Sequence, residues 1–233
     1  MARIKAVQQG NNAHLIATAQ ALYPMTGAVL DLTPGDEMGF WKEFQPEDLN
    51  YDQQDFRHTD WHAHMFDHVV FDPPYVTKGG HKTSTIDEMN QRYGMLHVEK
   101  NPMDQWNLQI LPGVSEANRL LKKKGLLWFK LQDYVTSGKV WWFTKMALAE
   151  LEARGFKLID EFILDGNPGP QPLFDKCKAC DGEGGGWVSY GDDDWDREEC
   201  SPCHGTGYIP RRQVHAARAH SVLMIAQKKR DIK

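Results

Sequence analysis

Two short stretches carry most of the chemistry that this sequence can do. The first is Asp72-Pro73-Pro74-Tyr75, which ends the apolar run "FDHVVF" at residues 66–71. A carboxylate beside a backbone carbonyl can accept both N–H hydrogens of one amine. An exocyclic amine on a nucleobase is a poor nucleophile because its lone pair is delocalised into the ring. Held in line by two such acceptors, its electrons are drawn back onto nitrogen. Asp72 supplies the carboxylate and Pro73 the carbonyl, while Pro73 and Pro74 fix φ and keep the acceptors in place. Tyr75 offers a flat face for stacking. A base inside a duplex is out of reach, so such a target must be flipped out or unpaired.

The second stretch is a pair of cysteine knuckles, "CKACDGEG" and "CSPCHGTG", which contain all four cysteines of the chain. Cys177, Cys180, Cys200 and Cys203 form two C-x-x-C pairs separated by 19 residues. In a reducing compartment this spacing reads as one closed, structural four-thiolate Zn²⁺ site. A redox disulfide pair and an iron–sulfur cluster are the alternatives. The glycines allow φ > 0, so that amide N–H groups can turn towards thiolate sulfur. His204 reads as a surface residue. Methylation at carbon 5 of cytosine needs a cysteine nucleophile, and no cysteine precedes position 177.

The elements that must position these residues follow from periodicity. "NNAHLIATAQALY" (11–23) reads as a helix capped by Asn11, with Leu15, Ile16, Ala19 and Leu22 as its apolar stripe. "AVLDL" is a buried strand ending in Asp31 and Leu32, followed by the turn Thr33-Pro34-Gly35. "FDHVVF" and "KKKGLLWFKL" (122–131) are further strands, with Gly125 ending a helix over "SEANRLLKKK". A helix over 138–155 closed by Gly155 comes next, then strands at 156–164 and 220–228. This alternation predicts an α/β fold, a doubly wound, mainly parallel, Rossmann-like sheet of the seven-stranded type with a small zinc-binding insertion. Ligands of such sheets lie outside the carboxyl ends of the strands. The ends carrying Asp31 to Gly35 and Asp72 to Tyr75 are expected side by side.

The sequence resembles the class I S-adenosylmethionine-dependent methyltransferases that modify exocyclic amines, whose signature is [D/N/S]-P-P-[Y/F/W]. The stretches "DPPYVTKGG", "QRYG", "LLWFKLQDYVTSGKVWW" and "RRQVHAARAHSVLMIAQ" are similar to DPPY enzymes of actinobacteria and their phages, and the likeness spans roughly residues 10–165 and 208–230. The resemblance implies methyl transfer from S-adenosylmethionine to adenine N6 in DNA, with cytosine N4 in DNA or guanine N2 in RNA as alternatives. It implies cofactor binding by Asp31, Leu32, Thr33, Pro34 and Gly35, and an adenine contact by Asp55 and Phe56. Asp52, or else Glu37, would take the cofactor ribose. The usual G-x-G turn is altered: Gly35 precedes Asp36 and Glu37, and the next glycine is Gly39. A non-catalytic zinc-containing adapter on a degenerate methyltransferase fold is the reading from another class.

Residues 1–165 are expected to form the catalytic core and 166–213 the zinc insertion, with 214–233 returning as the last core strand and a basic tail. The chain has 233 residues and a net charge of −5, but residues 175–203 hold nine acids against three bases. An acidic insertion is repelled by phosphates. It is read as a protein or homodimer contact, as a base reader through Trp187, Tyr190 or Trp195, or as a plain loop staple. Lys78, His81 and Lys82 after the motif, with Arg211 and Arg212, are the candidate phosphate contacts. Lys130, Gln132 and Asp133 are candidates to face the substrate. Nucleic acid is the expected partner, DNA before RNA. No 18-residue apolar run or secretion signal is present, so no membrane role is expected and a cytoplasmic location is, in a bacterium or a phage-infected host.

Overall fold

The structure, a computed structural model, describes residues 3–35, 39–51, 55–74, 99, 101–136, 139–166, 174–191, 194–210 and 220–232. The chain divides into two compact units, Met1–Asn167 with Ala217–Lys233, and Pro168–Ala216.

The first unit opens with β1 (Val7–Gln9) and α1 (Asn12–Gln20), then β2 (Val29–Asp31), β3 (Leu49–Tyr51) and β4 (Phe66–Phe71). A helix starts at Pro102–Asp104, passes through a π-helical stretch at Gln105–Ile110 and continues as α2 (Leu111–Leu120). β5 (Leu121–Leu131) follows, then a hairpin of β6 (Tyr134–Thr136) and β7 (Lys139–Trp141), then α3 (Phe143–Ala153) and β8 (Phe156–Asp165). In the second unit lie β9 (Phe174–Lys176), β10 (Gly185–Gly191), β11 (Asp194–Glu199) and β12 (Tyr208–Pro210). β13 (His220–Lys228) returns to the first unit.

Seven strands form one sheet in the order β1-β8-β13-β5-β4-β2-β3. All neighbours pair in parallel except β13, which is antiparallel to both β5 and β8. The fold is therefore α/β, doubly wound and Rossmann-like. From β2 the chain moves outward to β3 and then back to β4 on the other side of β2. That reversal is the switch point at which such sheets open a ligand crevice.

Period-two alternation sorts the strand residues onto two faces. Leu30, Val69, Phe71, Leu127, Phe129, Leu131, Met224 and Ala226 pack in one cluster with Ile110 of the π-helical stretch, Val114, Ala117 and Leu120 of α2, and Phe143, Ala147 and Leu151 of α3. Val29, Val70, Trp128, Leu223 and Ile225 turn to the other face, against Leu15, Ile16 and Ala19 of α1. α1 begins where Asn11 accepts a hydrogen bond from His14 N at 2.9 Å.

Three local expectations are corrected. Leu22 lies past the end of α1 and is half exposed rather than part of its stripe. Lys122, Lys123 and Lys124 belong to β5, not to the preceding helix, which ends at Leu120. Between Phe66 and His68 the partners on β5 jump from Leu121 to Leu126, so the lysines form a bulge, with Lys124 at φ 69°. A side chain on Gly125 would sit 2.9 Å from the Asp67 carbonyl, so this glycine serves the close strand approach. Finally, Lys139-Val140-Trp141 is a strand, because β-branched and aromatic residues suit a hairpin, and the helix starts only at Phe143.

Candidate active site and cysteine centre

The carboxyl ends of β2 and β4 meet as the sequence implied. Asp31 pairs with Val70 across the parallel ladder, and Leu32 N donates to Val70 O at 2.9 Å. Thr33 closes the junction: its Oγ1 accepts from Asp72 N at 2.8 Å, while its own N donates to Asp31 Oδ1 at 3.1 Å. Thr33 thereby ties the two acidic strand ends together.

Both carboxylates are buried. Asp31 Oδ2 accepts from the indole Nε1 of Trp41 at 2.8 Å. Burial nevertheless lifts the Asp31 pKa to about 6, with the nearby Asp72 charge adding to it and the Trp41 and Thr33 hydrogen bonds opposing. Burial also raises Asp72, and the Lys130 ammonium opposes that rise. Lys130 Nζ lies 3.2 Å from Asp72 Oδ1 and 3.4 Å from Oδ2, with both side chains at most 10 % exposed. It also sits 5.9 Å from the centre of the Phe40 ring.

The Asp72–Lys130 pair is a consequence of register. Phe71 pairs with Phe129, so the next residue on each strand stands opposite the other. The sequence carried a signal for it, since a lysine inside "LLWFKL" needs a counter-charge. Asp133, by contrast, turns to α3 and accepts from Thr144 N and Oγ1, each at 2.9 Å. It caps that helix.

The proline loop is held from beneath by the π-helical stretch. Gln105 is fully buried, and its Nε2 donates to the Pro74 carbonyl while its Oε1 accepts from Glu99 N at 3.1 Å. Gln109 Nε2 adds a bond to Glu99 Oε1 at 2.8 Å. Two glutamines on this stretch thus clamp the residues on either side of 75–98. Among the described residues no donor reaches the Pro73 carbonyl, the acceptor assigned to the amine.

Asp55 is bound by its neighbour Arg57, whose Nε lies 2.8 Å from Oδ1, and this holds its carboxyl below the ordinary range. Phe56 is 2 % exposed and packs against Phe71 at a ring separation of 5.3 Å. The register of β3 brings Tyr51 beside Asp31. Asp52, which follows it, lies outside the described residues, as do Glu37, Tyr75, Lys78, His81, Lys82, Arg211 and Arg212.

The crevice chemistry suits a cationic cofactor. Asp31 and Asp72 are two buried carboxylates with one lysine, paired to Asp72, so a cation brought to the strand ends meets net negative charge. Both carboxylates then gain by staying ionised.

In the second unit the four Sγ atoms of Cys177, Cys180, Cys200 and Cys203 lie within 4.8 Å of one another, and no disulfide joins them. The Cys177–Cys200 and Cys180–Cys203 sulfurs are each 3.7 Å apart. Tetrahedral Zn–S bonds of about 2.3 Å require a sulfur spacing of about 3.8 Å. Gly184 N and Gly207 N point at Cys180 Sγ and Cys203 Sγ from 3.3 and 3.2 Å. The knuckles also brace each other: Cys177 N donates to Gly207 O and Cys200 N to Gly184 O, both at 2.8 Å. Gly184 and Gly207 have φ of 79° and 76°, and a side chain on either would come within 2.2 Å of the opposite knuckle's backbone. The donor set and spacing fit a structural zinc ion. Trp187 and Tyr190 on β10 are strongly exposed.

No protein-family model matches the chain, and no curated protein does. Solved structures do. One is a protein of Bacillus halodurans C-125 provisionally described as a methyltransferase, at 15 % identity and a TM-score of 0.44, covering 92 % of this chain and 99 % of that one. Another is the Burkholderia thailandensis 1,6-didemethyltoxoflavin-N1-methyltransferase, solved with 1,6-didemethyltoxoflavin and S-adenosylhomocysteine. It is 12 % identical with a TM-score of 0.42, covering 94 % of this chain and 79 % of that one.

Proposed function

We propose that this chain is an S-adenosylmethionine-dependent methyltransferase acting on an exocyclic amine of a nucleobase, with adenine N6 in DNA as the first acceptor. The observation that carries this reading is the buried Asp72 carboxylate at the end of β4, locked through Thr33 to the acidic end of β2. When bound, S-adenosylmethionine supplies a methyl group made electrophilic by a sulfonium charge that is neutralised as the methyl leaves.

The residues of the chain would bind, orient and screen. Asp31, Leu32, Thr33, Pro34 and Gly35 form the loop over which the cofactor lies, and Asp52, or else Glu37, takes the ribose hydroxyls. With Asp55 bound to Arg57 and Phe56 in the core, these two contribute through their loop backbone. Asp72 and the Pro73 carbonyl accept the two amine hydrogens, and Pro74, fixed by Gln105, keeps the acceptors from drifting. Tyr75 stacks on the extruded base. Lys130 keeps Asp72 ionised, so that it accepts rather than donates. The transfer is direct, from cofactor to nitrogen.

Cysteines 177, 180, 200 and 203 hold Zn²⁺ as a structural staple, and the surrounding acidic surface serves as a protein or homodimer contact. Cytosine N4 and guanine N2 present the same pair of amine hydrogens and stand as alternative acceptors. A second reading, a non-catalytic adapter, is favoured by one observation, the replacement of the second cofactor-loop glycine by Asp36 and Glu37. Calorimetry separates the two. The enzyme binds S-adenosylmethionine one to one, and Asp72→Ala keeps that binding and the fold while losing methyl transfer. A chain with no cofactor affinity is the adapter.

A further inference from the structure

At the opposite end of the parallel strands from Asp72, by the start of β5 and the end of β13, lies a cavity of about 560 Å³, lined by five cationic side chains and one carboxylate. Lys122 and Lys123 enter it from the start of β5. Lys228, Lys229 and Arg230 enter from the end of β13, whose antiparallel direction brings its last residues beside the first residues of β5. Eight residues of strand separate Lys122 from Lys130, which places the cavity roughly 25 Å from the acidic crevice.

A basic run near a chain end is ordinarily a frayed, solvated tail. Here it is fastened. Lys229 N donates to Gly155 O at 2.7 Å, and the buried Asn118 Nδ2 donates to Arg230 O at 3.1 Å. Gly155 has φ +78°, and a side chain there would come within 2.5 Å of Arg230 O. Lys228 is 2 % exposed, and its Nζ donates to Asn118 O at 2.6 Å and Leu121 O at 2.8 Å and pairs with Asp231 at 2.6 Å. This buried lysine is structural, and it fixes the residues on either side of it. Lys122 is matched by Asp67 at 2.7 Å. Among the described residues, Lys123, Lys229 and Arg230 are exposed and have no carboxylate partner.

Three pre-positioned, unmatched cations on a protein of net charge −5 make a strong local field. Apart from the His64 imidazole, the lining has no ring on which a base could stack, and it has no amide to read a base edge. Such a wall recognises charge rather than base identity. We propose that this cavity is a sequence-independent contact for the phosphate backbone of a nucleic acid, separate from the Asp72 crevice. The contact deepens the proposed function: it would hold the enzyme on its polymer while the crevice samples bases.

The test is fluorescence anisotropy of a labelled 20-base-pair DNA duplex, titrated across a range of NaCl concentrations. The triple variant Lys123→Glu/Lys229→Glu/Arg230→Glu leaves Asn118, Gly155 and Lys228 in place and should show an unchanged far-UV spectrum. It is expected to weaken binding at least tenfold and to flatten the salt slope by about 2–3, at roughly 0.9 per lost phosphate contact. The control Arg3→Glu/Lys5→Glu/Lys145→Glu, equal in charge and placed elsewhere, is expected to lose much less. Unchanged duplex binding in the first variant overturns the proposal, and so does an equal loss in the control, which would reflect net charge alone. Loss of tripolyphosphate binding with duplex affinity intact also overturns it, in favour of a small-anion site. Methyl transfer is measured on the same preparations. Its absence from the unmodified protein would defeat the methyltransferase reading and leave the binding result standing.

Discussion

Replacing Lys130 by methionine removes the only charge that the described structure sets directly against the buried Asp72 carboxylate while keeping a side chain of similar length. At the 3.2 Å separation of Lys130 Nζ and Asp72 Oδ1, an effective dielectric of about 20 gives an attraction of about 5 kcal/mol. Breaking a buried pair from one side costs about 3–5 kcal/mol when the remaining charge has to stay. Asp72 can escape that cost by taking a proton, since burial already raises its pKa and Lys130 is what restrains the rise. The sign follows from this. A carboxyl whose folded pKa lies above its unfolded value stabilises the fold at low pH and loses that contribution as pH rises through the folded pKa. Lys130→Met should therefore be near normal in stability at pH 4–5 and fall progressively behind the unmodified protein towards pH 8. At 2–4 °C per kcal/mol, the melting-temperature deficit at pH 8 should be on the order of 10 °C. Catalysis should move the other way. Activity needs the ionised carboxylate, so the acidic limb of the kcat/KM profile shifts to higher pH. The rate at pH 7 should drop by about 10–100-fold and recover partly in alkali. A variant with an unmoved acidic limb and a pH-independent stability loss would refute the role given to Lys130.

Asp31, with its pKa lifted to about 6, should make cofactor affinity pH-dependent. Calorimetry should show S-adenosylmethionine binding weakening as pH falls through 6, and Asp31→Asn should flatten that dependence. Gly113 faces β4, and a methyl there would lie 2.2 Å from the Phe71 ring. Gly113→Ala should cost about 1–3 kcal/mol in urea unfolding by overpacking, and a neutral result would show that the helix can lift away. Cys200→Ser should reduce bound zinc from one per chain to near zero by metal analysis and disorder the second unit. Well under one zinc in the unmodified protein would remove the metal assignment.

Much of the architecture is written locally. "FDHVVF" coincides with β4 residue for residue, because a β-branched and aromatic run closed by Asp72-Pro73-Pro74 has few other outcomes. The glycines of the knuckles likewise announce positive φ, and Gly182, Gly184, Gly205 and Gly207 all adopt it. What the sequence hid is set by distant partners. Lys122-Lys123-Lys124 are good helix formers, yet pairing with β4 draws them into a bulged strand. The antiparallel direction of β13 leaves no trace in a period of two. Lys130 was visible as a charge in an apolar run, but only the Phe71–Phe129 register shows that Asp72 is its partner. Gln105, which holds the Pro74 carbonyl from a π-helical stretch more than thirty residues on, has no short-range signature.

The central claim is the identity of the group that Asp72 receives. The most direct measurement incubates the protein with methyl-labelled S-adenosylmethionine and with DNA or RNA, then digests the polymers to nucleosides and identifies the labelled one. The account predicts label on N6-methyldeoxyadenosine from DNA, lost with Asp72→Ala. Label on a small molecule or a protein, with every nucleoside unlabelled, would contradict it.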